Sequence, residues 1–317
     1  MATPRKFQVS PMKRTGITAE SNNFCSKRRK LEDTNEEWHF LRLLNNAVDY
    51  FADISNTKSE NISTAISNFI SSFRVNGGGG GFSEIDLNKA EYACGYLFRY
   101  GALFAGLVRK RLLQALEKID FLKYCQKKAE INVICLGGGA GNDMIGLCSV
   151  LHEVVEFQSL NLTVVDSVKR WASFFNVMEF LIREDYYGNV SKLFQERNVN
   201  TSFICCELPG HASTNEHYYK NLQEADLILM ARLWSILSDE KKEPLIRSIA
   251  ENMKEDALLI FIDTWTSLDY FQEFVVVYYF EGESYNFSAP VVKKFENETA
   301  TTSKAGIMIL KRKNTNM

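Results

Sequence analysis

Residues 131–143 read Ile131-Asn132-Val133-Ile134-Cys135-Leu136-Gly137-Gly138-Gly139-Ala140-Gly141-Asn142-Asp143. An apolar run of strand length passes directly into alternating glycines, and a helical pattern follows over 142–155. Gly137, Gly139 and Gly141, with Gly138 among them, let the chain turn sharply and bring its backbone against a ligand, where side chains would stand in the way. The spacing is G-x-G-x-G. A dinucleotide fingerprint is G-x-G-x-x-G/A. Its sixth position falls on Asn142 counted from Gly137 and on Met144 counted from Gly139, so neither count fits. A nicotinamide-dependent oxidoreductase is disfavoured on this ground.

Downstream, the strand 160–165 ends in Asp166, twenty-five residues past Gly141. In a doubly wound sheet the second strand ends beside the first, so Asp166 faces the same crevice. Its carboxylate can there accept both hydroxyls of a ribose. On local grounds alone it reads equally well as a helix cap. Coupled to the glycine loop in this order, the ribose role is the better reading. A helix is expected over 167–182, with Trp171, Phe174, Phe175, Met178, Leu181 and Ile182 on its buried face. Strands follow over 201–206, 225–230 and 257–262, with a helix over 239–253. The apolar run 274–280, a polar stretch around 297–303 and a strand over 305–311 close the pattern. Alternating strands and helices predict an α/β fold, a doubly wound, mostly parallel sheet with an antiparallel edge strand.

Upstream of the glycine loop the period is helical. Trp38, Leu41, Leu44, Val48 and Phe51 recur at threes and fours, and Ile62, Ile66, Phe69 and Ile70 continue a second helix. Five glycines, 77–81, then read as a flexible loop. A helical stretch over 84–126 presents Ala93, Tyr96, Leu97, Tyr100, Phe104, Leu107 and Val108 on one face. Its Arg99, Arg109, Lys110 and Arg111 read as a solvated face. The expected organisation is a disordered basic tail over 1–35, a helical region over 36–126, and an α/β domain over 127–317.

Lys and Arg number 37 against 39 Asp and Glu, a net charge of −2, so the whole chain is no polycation. The balance is uneven. Residues 1–30 hold eight basic side chains against Glu20 alone, a net +7, which leaves −9 for the rest. Lys13-Arg14 and Lys27-Arg28-Arg29-Lys30 are twelve residues apart and resemble a bipartite nuclear localisation signal, so a nuclear import receptor is an expected partner. The plainer alternatives are a solvated basic tail, or one that touches RNA phosphates nonspecifically. The expected location is nuclear, with a cytoplasmic share. No apolar run approaches the roughly 20 residues of a transmembrane helix, and no secretory signal is visible. Seven cysteines without a C-x-x-C pair read as reduced thiols, and no metal site is expected.

Together the Gly137-x-Gly139-x-Gly141 loop, Asp166 and Asp226, which opens the run Asp226-Leu227-Ile228-Leu229-Met230, resemble a class I S-adenosylmethionine-dependent methyltransferase domain over 131–312. The resemblance implies S-adenosylmethionine (SAM) as cofactor, methyl transfer as the reaction, and a reversed seventh strand within 274–312. It implies cofactor contacts from Gly137, Gly138, Gly139, Gly141 and Asp166. The family usually carries an acidic residue two places before the first glycine. Cys135 stands there instead, and Asp143 at the helix start is the candidate to replace it. Glu207, after strand three, is either the residue facing the adenine amine or a surface carboxylate. After strand four, Ala231-Arg232-Leu233-Trp234 lacks the Asn/Asp-Pro-Pro-aromatic signature of nucleic-acid amino methyltransferases, and Cys205-Cys206 read as strand residues rather than a nucleophile site. His39, His152, His211 and His217 are scattered, with His211 and His217 in the loop after strand three. No catalytic residue is assigned, since an activated sulfonium needs alignment more than acid–base help. The acceptor is RNA or protein. A noncatalytic SAM-binding sensor of the same fold is the alternative.

Overall fold

The structure, a computed structural model, describes residues 33–75, 85–126, 128–209, 215–264 and 268–313. The basic clusters of the tail, the 77–81 glycine run and His211 lie outside the described residues. Helices α1 (Asp33–Ile54) and α2 (Ser59–Val75) come first. Helix α1 buries Leu41, Leu44, Val48 and Phe51 as the period predicts, but Trp38 is 44% exposed. Phe40, Leu43 and Ala47 are buried too, which centres the apolar stripe on the side away from Trp38.

Helix α3 (Ala90–Tyr96) runs through a π-type turn (Leu97–Gly101) into α4 (Ala102–Leu116). Helix α4 is buried almost all round, so it has no broad solvated face to offer its charges. Arg109 and Arg111 are each 2% exposed, which corrects their reading as solvated. Arg109 Nη2 lies 2.8 Å from Glu153 Oε1. Arg111 Nε donates to the Ala305 carbonyl at 2.7 Å, and its Nη1 donates to Gln114 Oε1 at 2.7 Å. Buried charge is tolerated where it is paired and hydrogen-bonded in this way.

The α/β part follows as β1 (Glu130–Leu136), α5 (Asn142–Val154), β2 (Ser159–Asp166), α6 (Arg170–Glu184), α7 (Asn189–Glu196), β3 (Asn198–Cys205), α8 (Glu216–Glu224), β4 (Leu227–Ala231), α9 (Asp239–Asn252) and β5 (Leu258–Ile262). Helices α7 and α8 are not in the sequence reading; both are short pieces in polar stretches. Strand β6 (Phe274–Phe280), short antiparallel strands β7 (Ser284–Asn286), β8 (Lys293–Lys294), β9 (Asn297–Glu298) and β10 (Thr302–Lys304), and finally β11 (Ile307–Arg312) complete the described chain.

The main sheet has the order β3-β2-β1-β4-β5-β11-β6. Strands β1 to β5 are parallel, and β11 runs antiparallel between β5 and β6. One face packs on α1 and α4 to α7, the other on α8 and α9. This is the expected doubly wound, mostly parallel sheet with an antiparallel edge, preceded by a helical region. Close packing of α4 on α5 runs through Gly146, where an added Cβ would stand 2.4 Å from the Ala105 carbonyl oxygen. Successive crossovers reverse direction between β1 and β4. The carboxyl ends of those strands therefore flank a crevice, the place where such sheets bind ligands.

Candidate cofactor cleft

The loop after β1 begins at that crevice. Gly137, Gly139 and Gly141 have φ of +65°, +54° and +93°, conformations that L side chains rarely adopt. A Cβ at Gly137 would stand 2.7 Å from Leu233 Cδ1, and one at Gly141 would stand 3.0 Å from Phe175 Cδ2. At Gly139 the nearest atom is Asn142 Oδ1 at 3.5 Å, so its missing side chain leaves the cleft open rather than filled.

Asp166 at the end of β2 ties this loop down. Gly139 N–H donates to its Oδ2 at 3.0 Å, and Val168 N–H donates to its Oδ1 at 2.9 Å. Helix α6 starts only at Arg170, so Asp166 bridges two loops and is not the cap of that helix. The Ser167 backbone also hydrogen-bonds this carboxylate, which keeps acceptor capacity for a ligand hydroxyl. Burial pushes the Asp166 carboxyl above its ordinary range, against the pull of its backbone donors.

A cavity of about 340 Å³ opens in front of these groups, within the small end of ordinary ligand sites. Gly137, Gly138, Gly139, Asp143, Asp166 and Glu207 all line it. Gly141 stands behind, packed against Phe175. Asp143 is 3% exposed and accepts a 2.9 Å hydrogen bond from Asn142 Nδ2. Burial, then the charge of Asp166, holds its carboxyl well above the usual carboxylate range. Glu207 sits at the outer rim, exposed and ion-paired with Lys241, which lowers its pKa. Cys135 is 1% exposed with its thiol pushed well up by burial; it faces the core instead of the cleft.

Other sequence candidates lie elsewhere. Asp226 is at the opposite end of β4, where Lys128 Nζ at 2.7 Å, Lys254 Nζ at 2.9 Å and the Asn132 N–H at 2.9 Å hold it. His217 is in α8 and His152 pairs with Glu196, neither of them against the cleft. Cys205 is exposed in β3, while Cys206 is buried at the cleft wall. Among the described residues no group of three or more His, Cys, Asp or Glu is placed to hold a metal ion. No described helix is long and apolar enough to cross a membrane.

Tyr96, Phe104 and Arg232 are among the cleft residues that sequence reading does not assign to the site. Tyr96 and Phe104 come from the helical region, Tyr96 just before the π-type turn and Phe104 in the first turn of α4, and show in the sequence only as core-type aromatics. Tyr96 is near enough to Asp143, Arg232 and Asp166 to feel their charges. Arg232, the first residue after β4, adopts φ +56°. Asp263, the first residue after β5, lies beside it and is 2% exposed. A strand that ends in Asp, as β2 does, is the signal that points to Asp263.

A family model described as "Putative SAM-dependent methyltransferase" matches residues 90–272, from the start of α3 to just before β6. No curated protein sequence matches the chain. Solved structures with partial fold likeness include TehB from Haemophilus influenzae, at 14% identity and TM-score 0.36, over 64% of this chain and 61% of that one. The chain thus spans less than two thirds of that protein. Magnesium protoporphyrin IX methyltransferase from Synechocystis PCC 6803 overlaps at 10% identity and TM-score 0.38, over 68% of this chain and 84% of that one. Mitomycin 7-O-methyltransferase overlaps at 15% identity and TM-score 0.41, over 78% and 67%. The family model, and not these overlaps, places the chain.

Proposed function

The chain belongs to the SAM-dependent methyltransferase family whose model it matches over 183 of its 317 residues, and from that premise we propose that it methylates a nuclear acceptor, RNA or protein. The observation that carries a SAM site is the left-handed glycine loop, tied by Gly139 N–H to Asp166 at the switch point of the sheet. The residues present fit the cofactor: an open cradle at Gly139, a carboxylate with acceptor capacity at Asp166, and a second buried carboxyl at Asp143.

In this reading Gly137 to Gly139 give backbone approach, Asp166 accepts the ribose hydroxyls, and Glu207 stands at the adenine end. Asp143 serves the methionine end, in place of the acid that Cys135 displaces. SAM, when bound, supplies a methyl group already activated on a sulfonium. The chain's part is to align donor and acceptor and keep water out, and the Tyr96 and Phe104 rings contribute aromatic wall to the cleft. Cys135 is also the observation that favours a noncatalytic SAM sensor.

The test has two stages. Titration calorimetry should show SAM and its demethylated product binding and NAD not binding, with Gly139→Val folded but unable to bind. Labelled methyl should then enter fractionated nuclear RNA or protein; binding without any transfer would leave the sensor. For location, replacing Lys27, Arg28, Arg29 and Lys30 with Ala in a large tagged fusion should lower the nuclear-to-cytoplasmic ratio. Replacing Lys13 and Arg14 should lower it partially. A quadruple variant that still concentrates in the nucleus overturns the import reading.

A further inference from the structure

The cofactor's amino-acid end carries a carboxylate as well as an ammonium group, and the carboxylate needs a cation. Two cationic side chains line the cleft on the side of β4 and α9, Arg232 and Lys241. Lys241 is 40% exposed at the rim and engaged by Glu207. Arg232 is deeper, on the side of Tyr96 and Asp143.

Three features set Arg232 apart. Its φ of +56° is unfavourable for a residue with a Cβ, and the fold maintains it through a 2.9 Å bond from Arg232 N–H to the Ile262 carbonyl. Backbone strain of this kind persists where the surroundings over-determine it, and it collects at ligand sites. Second, the guanidinium is incompletely used. Its Nη1 stands 3.5 Å from both Asp263 Oδ1 and the Lys304 carbonyl oxygen, beyond the roughly 2.7–2.9 Å of a charge-assisted bond. Its Nε is buried and has no hydrogen-bond partner among the described residues. Asp263, meanwhile, is served by the N–H groups of Thr264 at 2.7 Å and Ser235 at 3.2 Å. Third, the Phe104 ring lies 5.4 Å from the guanidinium carbon and limits where the group can swing. A strained, half-buried, under-bonded cation beside the glycine loop is a carboxylate site in waiting.

We propose that Arg232 binds the carboxylate of the SAM methionine moiety, opposite Asp143, which takes its ammonium group. This rests on the SAM reading above. It moves recognition of the zwitterion away from the end of β1, where Cys135 has no charge to give, to one residue after β4 and one at the start of α5.

Three ligands separate the contacts. SAM has both charged groups, decarboxylated SAM keeps only the ammonium, and 5′-methylthioadenosine has neither. Calorimetric titration of the full chain should show Arg232→Gln losing about 10- to 100-fold in affinity for SAM, the range of a lost hydrogen bond to a charged group. Its affinity for the other two should stay within about twofold of wild type by the same reasoning, which also proves the variant folded. Asp143→Asn should weaken SAM and decarboxylated SAM alike and spare 5′-methylthioadenosine. If Arg232→Gln binds SAM like wild type, or loses SAM and decarboxylated SAM equally, the assignment of Arg232 is wrong. A wild-type protein that binds none of the three overturns the SAM reading itself, and this inference with it.

Discussion

The crevice half of the sheet and the helices that cover it are secured by opposite devices. Around β1 and β2 the loop is held by backbone: left-handed glycines, Gly137 N–H to the Val165 carbonyl at 2.8 Å, and Gly139 N–H to Asp166. The helical region is instead secured by buried side-chain charge. Glu36 accepts the Asn189 N–H at the start of α7 at 3.1 Å, and its neighbour Glu37 accepts from the Tyr285 hydroxyl at 2.5 Å and the Ser288 hydroxyl at 2.6 Å. Two adjacent carboxylates thus fasten α1 to two different parts of the α/β domain. Arg109 joins the same set through Glu153, whose carboxylate also accepts from the Asn189 side chain. Backbone ties can be rigid while leaving space for a ligand. Buried charges leave none, so damage to the first device should appear in binding and damage to the second in stability.

Arg109→Met should break that contrast hardest. It strands Glu153 in the interior, a loss of about 3–5 kcal/mol in chemical denaturation, and pairing it with Glu153→Met should restore most of this. An Arg109→Met protein of wild-type stability would show that the pair carries no load. Glu36→Gln tests the same region through pH. Burial pushes the Glu36 carboxyl up to about 7, with Arg109 opposing. A carboxyl raised in the folded state binds more protons there, so its contribution is greatest below pH 4.5 and is lost as pH rises through about 7. Relative to the Gln variant, wild type should therefore lose up to about 3 kcal/mol across that window, at about 1.36 kcal/mol per pKa unit, and a constant offset would contradict the assignment.

On the crevice side, Asp166→Ala should weaken SAM by about 1.5–3 kcal/mol in calorimetry, and Asp166→Asn should retain part of the contact. Wild-type binding by both variants would reduce Asp166 to a tie between loops. Smallest is Gly139→Ala. Its left-handed φ costs about 1–2 kcal/mol of stability, and its Cβ meets nothing closer than 3.5 Å. Gly137→Ala should cost visibly more in a thermal melt, because its Cβ meets Leu233 at 2.7 Å.

The same contrast explains what could be read in advance. The loop, Asp166 and the order of strands follow from period and spacing along a continuous stretch, and they were legible. Asp143 was reachable from its place at a helix start. Arg109 and Arg111 look like any solvated pair on a helix, since Glu153 and Ala305 lie 44 and 194 residues away and leave no local mark. Arg232 is one polar residue in an apolar run, Ala231-Arg232-Leu233-Trp234; its left-handed turn depends on a carbonyl thirty residues on. Helices α7 and α8 have too few turns for a period to stand out.

Strand β11 carries a consequence for synthesis of the chain. It is made after β6 yet lies inside it, bonded to β5 on one edge and β6 on the other. A messenger cut short by a stop codon near position 300 would still encode every residue of the glycine loop and all of β6. The product would have a sheet with a missing rung, with the edge of β5 bare and Val275 and Val276 without their β11 partners. Such nascent chains are material for chaperones and proteases, and a ribosome must finish the final rung before the cleft it encoded long before can be kept.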